Sequence, residues 1–541
     1  MGFEVIDVEV ASHVKEDVEY YNKYLNARPL NIYRMSNASE VNAAVKHLLE
    51  DIGYTETKAN KSHVNMRMLV CDLYHNYISS DKRYLRVNMS KADGRDVIPR
   101  RYNPQGIGFE PLRCCIKGLI KKRYIIRKKG YFNKKYKDGY QTRIRARPKL
   151  IILLEQFGIQ EEMISTHPNR EVILMRSARE GKEITFKGKD GRVRKYPVYV
   201  KKLVDYDKYE DKAKTWRNTL KNYNELLDRT YIDLDLRRYP DPGDLNIDLS
   251  DKGNTRRIFS NESFQHGGRF YGGFWQSLPE KLRERIIING DYAKEIDYSG
   301  MMVHILYAIK GMKLSTYDLK PYLIDKGDTS KKREVYKKLL VVAANIDLSG
   351  KKRKTDKPIL EAVKYHIKKN PSKYPIMPAS DEEKDTFLKR CYDEVLTYHY
   401  RIDDLLGKGE GLRTQCIDSN IAYKIISRMT RENIPILTVH DSFICKKSDK
   451  DTVYDSIINS YVSEINSMLS RKGYATRVEP NEVITSISDL GDQIPDYVLA
   501  IRRDPLLWAH PILGNTKQMK RESIFNKTCK TNFNVTITDC L

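Results

Sequence analysis

The sequence has no apolar run near the roughly 18–20 residues needed to cross a bilayer. Its longest pure stretches, such as Leu339–Ala344 and Leu150–Leu154, have core length only. The N-terminal MGFEVIDVEV lacks a secretory h-region, and Ile6 stands where an N-myristoylation signal wants Ser or Thr. A cysteine framework is missing as well. Cys71, Cys114, Cys115, Cys391, Cys416, Cys445, Cys529 and Cys540 are scattered, with no C-x-x-C pair and no His at zinc-ligand spacing. They read as reduced, mostly buried thiols, and the chain is expected to be cytoplasmic, or intracellular on behalf of a virus or plasmid, with no membrane partner. Internal repeats and low-complexity tracts are absent too. Acidic residues are in deficit: 72 Asp+Glu face 97 Lys+Arg, a net charge of +25. A field of that sign points to a polyanion, and with no spanning segment nucleic acid is favoured over an anionic membrane. Hydrophobic content of 40% with 10% aromatics is enough for real cores and excludes wholesale disorder.

The positive charge is concentrated. Residues 113–149 hold fifteen Lys/Arg and one acid, Asp138. A helical stretch, Pro111–Lys122, leads into two tyrosine-rich, β-prone runs, Arg123–Lys129 and Tyr140–Arg147, with the hairpin signal Asp138-Gly139 between them. Helix then basic hairpin is how a winged helix reads, the helix for the major groove and the wing for phosphates. A solvated surface hairpin carrying lysines is the plainer alternative. Arg123, Arg127, Lys128, Lys129, Lys134, Lys135, Arg143 and Arg145 are the expected nucleic-acid contacts. A second hairpin is expected around Asp190-Gly191, a charged helix within 207–240, and a linker near 240–260 from Pro240-Asp241-Pro242-Gly243.

Three separated pieces carry chemistry. In Ala293–Lys310 a short strand runs into Asp297, then Ser299-Gly300 turns into a helix whose Met302, Ile305, Leu306 and Ile309 share a face. An Asp there is a helix N-cap more often than not, but it is also where a metal or phosphate can approach closely. In Ile434–Ile444 an apolar strand is interrupted by His440-Asp441-Ser442. Buried without partners, those groups would cost several kcal/mol, and a tight turn lacking Gly or Asn points to a functional reason. In Lys331–Ile346 a helix sets Arg333, Lys337 and Lys338 near one face. That face can grip a triphosphate, or be a solvated face of a basic protein.

Together the order strand-Asp-Tyr-Ser, Arg-x3-Lys helix, Val-His-Asp resembles motifs A, B and C of the family A DNA polymerases and the related single-subunit RNA polymerases. Gly268-Arg269, then Trp275-Gln276-Ser277-Leu278-Pro279, then Arg283 and Arg285, is similar to the family's approach to motif A. Gln415 opens a helix similar to the Gln-bearing helix before motif C. The resemblance covers about 260–450. It implies an α+β right-hand polymerase, with a palm sheet, helical fingers and a helical thumb, plus the basic N-terminal region, of winged-helix type or not. The implied division is 1–150 for nucleic-acid binding, 151–260 for connector and thumb, 261–310 and 411–490 for palm, 311–410 for fingers, and 491–541 for a tail.

By the same resemblance, Asp297 and Asp441 hold two Mg²⁺ ions, for which Mn²⁺ can substitute, about 3.5–4 Å apart. A backbone carbonyl such as that of Tyr298 helps, and Arg333 and Lys337 neutralise the triphosphate. Arg269, Gln415 and His440 lie against the primer–template end. The implied partners are a DNA primer–template, with RNA as the other candidate, nucleoside triphosphates and accessory replication proteins. The implied setting is replication of a virus, plasmid or mobile element. Met302 stands where the DNA polymerases have Glu, Asn345 falls where an aromatic Tyr is usual, and His-Asp-Ser is the RNA-polymerase-like form of motif C. The upstream piece and motif A look more like the DNA enzymes, so the expectation is a DNA polymerase, with an RNA polymerase second. A non-catalytic DNA-binding initiator or regulator and a two-metal nuclease are the remaining classes.

Overall fold

The computed structural model describes residues 27–80, 82–89, 98–133, 138–178, 180–187, 193–235, 249, 252–278, 280–317, 320–324, 329–349 and 355–488. The fold is mixed α/β, and the chain divides into two compact units. The first takes the described residues up to Glu171 and those within Leu234–Asp251, and the second takes Val172–Asp233 and those from Lys252 onward.

In the first unit, helices Ser39–Asp51, Glu56–Ser79, Phe109–Lys121 and Pro148–Gln156 surround a sheet ordered Ala27–Pro29, Tyr84–Val87, Thr142–Ala146, Ile125–Lys128. Alternation along the strands puts Leu85, Val87, Ile125, Ile144 and Ala146 in one core with Leu48, Ile116, Leu119 and Leu154 of the helices. The expected helix and hairpin are present, with two corrections. The hairpin does not stand free as a wing, because Thr142–Ala146 is an inner strand paired to Tyr84–Val87 as well. Asp138 and Gly139 are not the turn either: they pair with Asn133 and Phe132, and residues 134–137 lie outside the described residues. The second hairpin pairs Glu180–Lys187 with Val193–Val200 as expected; Asp190 and Gly191 lie outside the described residues.

In the second unit, α1 (Glu210–Asp228) is followed by an antiparallel pair, β1 (Arg256–Ser260) and β2 (Ser263–Tyr271). The linker expected near 240–260 therefore already contains sheet from Arg256. Next come β3 (Ile286–Ile288), β4 (Asp291–Tyr298) and α2 (Met301–Ile309). Three helices follow, α3 (Thr329–Asn345), α4 (Lys357–Lys369) and α5 (Asp381–Tyr398), then the long α6 (Gly411–Arg431). The hairpin β5 (Ile436–Val439) and β6 (Ser442–Lys446), α7 (Lys450–Arg471) and β7 (Thr485–Ser488) close the unit. The sheet runs β3-β4-β6-β5, with β7 on the other side of the C-terminal half of β4. The apolar run of α3 is anchored as its composition demands: Leu339, Leu340, Ala343 and Ala344 are fully buried with Val363, Leu388 and Val395 of α4 and α5. Among the described residues no helix is long and apolar enough to cross a membrane.

His399, just past α5, is fully buried between the Tyr307 hydroxyl at its Nδ1 and the Pro321 carbonyl at its Nε2, each 3.1 Å away. Burial pushes its pKa down to about 4, and that of His304 likewise. A depressed imidazole contributes stability that is complete above its unfolded value near 6.5 and is lost as pH falls through about 4. Urea unfolding at pH 7 and pH 4.5 should show that loss, roughly 3 kcal/mol per ring at most. His399→Gln should flatten the difference, and an unchanged pH dependence in that variant would refute the assignment.

Candidate functional site

The site is built where β4 meets the β5–β6 turn. Asp297 is the cross-strand neighbour of Ser442, and the Tyr298 amide donates to the Asp441 carbonyl at 3.4 Å. Sheet register thus brings together two acids that are far apart in sequence. The turn between β5 and β6 is only His440 and Asp441, and His440 takes a left-handed φ of 59°. For a non-glycine residue that conformation costs on the order of 1 kcal/mol or more. Its ring lies edge-on to Tyr271 at 5.5 Å, and its buried Nδ1 has no hydrogen-bond partner among the described residues. After β4 the chain turns at Gly300 (φ 69°), where a Cβ would come within 2.5 Å of Pro321; only glycine fits both demands.

These elements enclose a pocket of about 350 Å³. Asp297, Asp441, Tyr298 and Met302 line it from the sheet side, Arg333, Lys337 and Asn345 from α3, and Arg269 and Gln415 from β2 and α6. Nine of the ten residues singled out in the sequence around the two acids share this one cavity. His440 is not part of the wall and sits behind Asp441 against Tyr271. Tyr298 contributes its main chain: its side chain is buried, and its hydroxyl donates to the Ile457 carbonyl at 2.6 Å. Lys338 points elsewhere, half-buried, while Lys337 is exposed to the pocket one step earlier on the helix. Asn345 is held by its own helix, donating to the Val341 carbonyl at 2.7 Å, and Gly411 leaves it the room that a Cβ would take.

The electrostatics are those of crowded acids. The Asp297 carboxyl is pushed up to about 7, first by burial, then by the charge of Asp441 and then by that of Glu295, with Lys337 pulling the other way. Glu295, on the same face of β4, is already engaged: Ser442 Oγ donates to it at 2.5 Å and Arg283 Nε at 3.2 Å. Among the described residues no group of three or more His, Cys, Asp or Glu is arranged to hold a metal ion, so the oxygen donors available are the Asp297–Asp441 pair and nearby main chain. Carboxylates on one wall and Arg333 with Lys337 on another suit a ligand carrying both divalent cations and phosphates.

Asp418 and Tyr322 are among the wall residues that escaped the sequence reading. Asp418 lies three residues beyond Gln415 on α6 and is 3% exposed, paired with Arg269. A lone acid within the buried stripe Cys416, Ser419, Ala422 was the available signal. Tyr322 comes from the loop before α3 and lies 5.6 Å from the Arg333 guanidinium and 5.9 Å from the Lys337 ammonium; nothing periodic marks it. In the first unit, Arg123, Arg127, Lys128 and Lys129 are exposed and Arg145 is half-buried. Arg143 is only 4% exposed, which removes it from the expected set of phosphate contacts. Lys134 and Lys135 lie outside the described residues. Compared with known proteins, the chain matches no protein-family profile, and no curated sequence matches it.

Proposed function

We propose that the second unit is a template-directed nucleotidyltransferase that extends a primer by phosphoryl transfer, with deoxynucleoside triphosphates as the favoured substrates. One observation carries this reading. The Asp of the strand-Asp-Tyr-Ser segment, the Asp of Val-His-Asp, and the Arg-x3-Lys face of α3 all line a single pocket. Within the proposal, the β3–β7 sheet is the palm, α3–α5 the fingers and α1 a thumb helix. The basic first unit binds nucleic acid through exposed Arg127, Lys128 and Lys129.

The residues fit a divalent metal. Two carboxylates forced together, one with its proton affinity raised by the other, form a site whose repulsion a hard cation relieves, and all the donors are oxygen. Asp297, Asp441 and the Tyr298 main chain would hold Mg²⁺ there. When bound, such ions supply activation of the primer hydroxyl and neutralisation of the departing pyrophosphate. The chain's own residues do the rest. Arg333 and Lys337 compensate triphosphate charge, their positions fixed by the buried run of α3 beneath them. Arg269 and Gln415, on β2 and α6, orient the primer end, and His440 stiffens the turn that presents Asp441.

Among the described residues Lys337 makes no ion pair, whereas Arg333 already meets Glu334 at 2.6 Å. Lys337→Gln should therefore raise the nucleotide KM by about tenfold, more than Arg333→Gln does, with a smaller change in primer–template affinity. Equal KM values in wild type and Lys337→Gln would remove Lys337 from the triphosphate role. The decisive assay is primer extension with Mg²⁺, deoxynucleotides and ribonucleotides in separate reactions. Extension with deoxynucleotides is expected, and folded protein that extends with neither ends the proposal. One observation favours the ribonucleotide alternative: Met302 and Asn345, rather than a carboxylate and an aromatic ring, face the pocket.

A further inference from the structure

We propose that Asp418 is a positioning residue that holds Arg269 away from Asp441 and so keeps the Asp297–Asp441 pair available to a divalent cation. The inference rests on the reading of those two acids as the cation site. Arg269 brings its charge from β2 into the pocket, and after Asp418 the carboxylate it feels most is Asp441. A guanidinium free to choose would bridge to Asp441, because Arg–carboxylate contacts are short and charge-assisted. Such a bridge would compete directly with a metal ion for the same oxygens.

The geometry around Arg269 forecloses that choice. Asp418 Oδ2 accepts from Arg269 Nε at 2.7 Å and forms an ion pair with Nη2 at 2.5 Å, so one edge of the guanidinium is held against it. Asp418 is 3% exposed and cannot swing into solvent. The base of Arg269 is fixed too. Gly268, at φ 81°, packs so tightly on Phe259 and Ser419 that a Cβ would clash with both. Its carbonyl accepts from Arg257 Nε at 2.9 Å, and Arg257 also reaches Ser419 Oγ at 3.0 Å and Asn420 Oδ1 at 2.7 Å on α6. Both ends of the Arg269 side chain are therefore tied to α6, the helix that carries Asp418. Removing the Asp418 charge leaves a largely buried guanidinium, and Asp441 is then the carboxylate that acts on it most.

The test is Mn²⁺ binding to the full chain without nucleic acid or nucleotide, read from the free-ion electron paramagnetic resonance signal. Wild type should show a binding component that Asp297→Asn and Asp441→Asn each remove. Asp418→Asn should weaken that component at least about fivefold, and adding Arg269→Gln to it should restore binding to about the wild-type value. In primer extension, Asp418→Asn should raise the Mg²⁺ concentration at half-maximal rate by a similar factor and leave the nucleotide KM unchanged. Unweakened binding in Asp418→Asn, or no recovery in the double variant, overturns the inference. Should Asp418→Asn melt within the assay range, Arg269→Gln alone decides, because it must bind Mn²⁺ at least as tightly as wild type. A wild-type chain with no component sensitive to Asp297→Asn or Asp441→Asn instead sinks the cation site itself.

Discussion

Asp441→Ala is expected to reduce primer extension by at least about a thousandfold, and Asp297→Ala by as much, while each leaves primer–template affinity nearly unchanged. The size follows from what the pair does under the proposed reaction. Removing one carboxylate takes away one of the two acids that would hold the cations, and among the described residues no third acid stands ready: Glu295 is engaged by Ser442 and Arg283, and Asp418 by Arg269. Because the two acids act as one unit, the double variant should lose little more than either single one. Additive losses would mean that they serve separate steps. Affinity should persist because the basic surfaces that neutralise phosphates are elsewhere, including exposed Arg127, Lys128 and Lys129. The measurement is single-turnover extension of a labelled primer beside a binding titration. Residual extension within tenfold of wild type in Asp441→Ala would refute the two-carboxylate mechanism.

Much of this site was legible because its parts are local. A strand that ends in Asp and turns at glycine into an apolar helix needs no tertiary information, and β4 and α2 form as that pattern demands. The Arg333/Lys337 spacing is likewise a property of one helix, and the buried run that follows it settles which face turns outward. The meeting of Asp297 with Asp441 was of another kind. It rested on a resemblance of ordered motifs, and only the register Asp297↔Ser442 gives it a geometric basis. Contacts that depend on several elements were not legible. Asp418 matters through its pairing with an arginine on a distant strand, and Tyr322 through a loop whose path is set by Gly300 and Pro321. The basic hairpin shows a third case. Charge and turn residues predicted a basic hairpin offered to phosphates, but Ile144 and Ala146 alternate into the core, which makes its second strand an inner strand of a sheet and buries Arg143. Composition reports charge; it does not report which face of a strand the charge occupies.

The free-energy cost of the acid pair gives a test that needs no substrate. Burial, and after it the charges of Asp441 and Glu295, push the Asp297 carboxyl up to about 7 in the fold, against 3.8 for a free Asp side chain. A carboxyl raised in this way contributes stability that is fully present below its unfolded value, where both states hold the proton. That contribution is lost as pH rises through about 7, where the fold must ionise a group it would rather keep neutral. In the presence of a chelator, the Asp297 contribution to wild-type stability should therefore be smaller at pH 8 than at pH 5, and comparison with Asp297→Asn separates it from that of the imidazoles. Asp297→Asn, neutral at both, should be the more stable protein at pH 8 by on the order of 2–4 kcal/mol, and little different at pH 4. The sign is opposite to that of the buried imidazoles, which weaken the fold on the acid side, so the two effects separate in one pH series. Excess Mg²⁺ at pH 8 should raise the melting temperature of wild type and leave that of Asp297→Asn unmoved, since a ligand stabilises only the fold that binds it. Equal stability of the two proteins at pH 8 without metal would mean that Asp297 and Asp441 do not repel each other. The pocket would then have no electrostatic reason to recruit a cation.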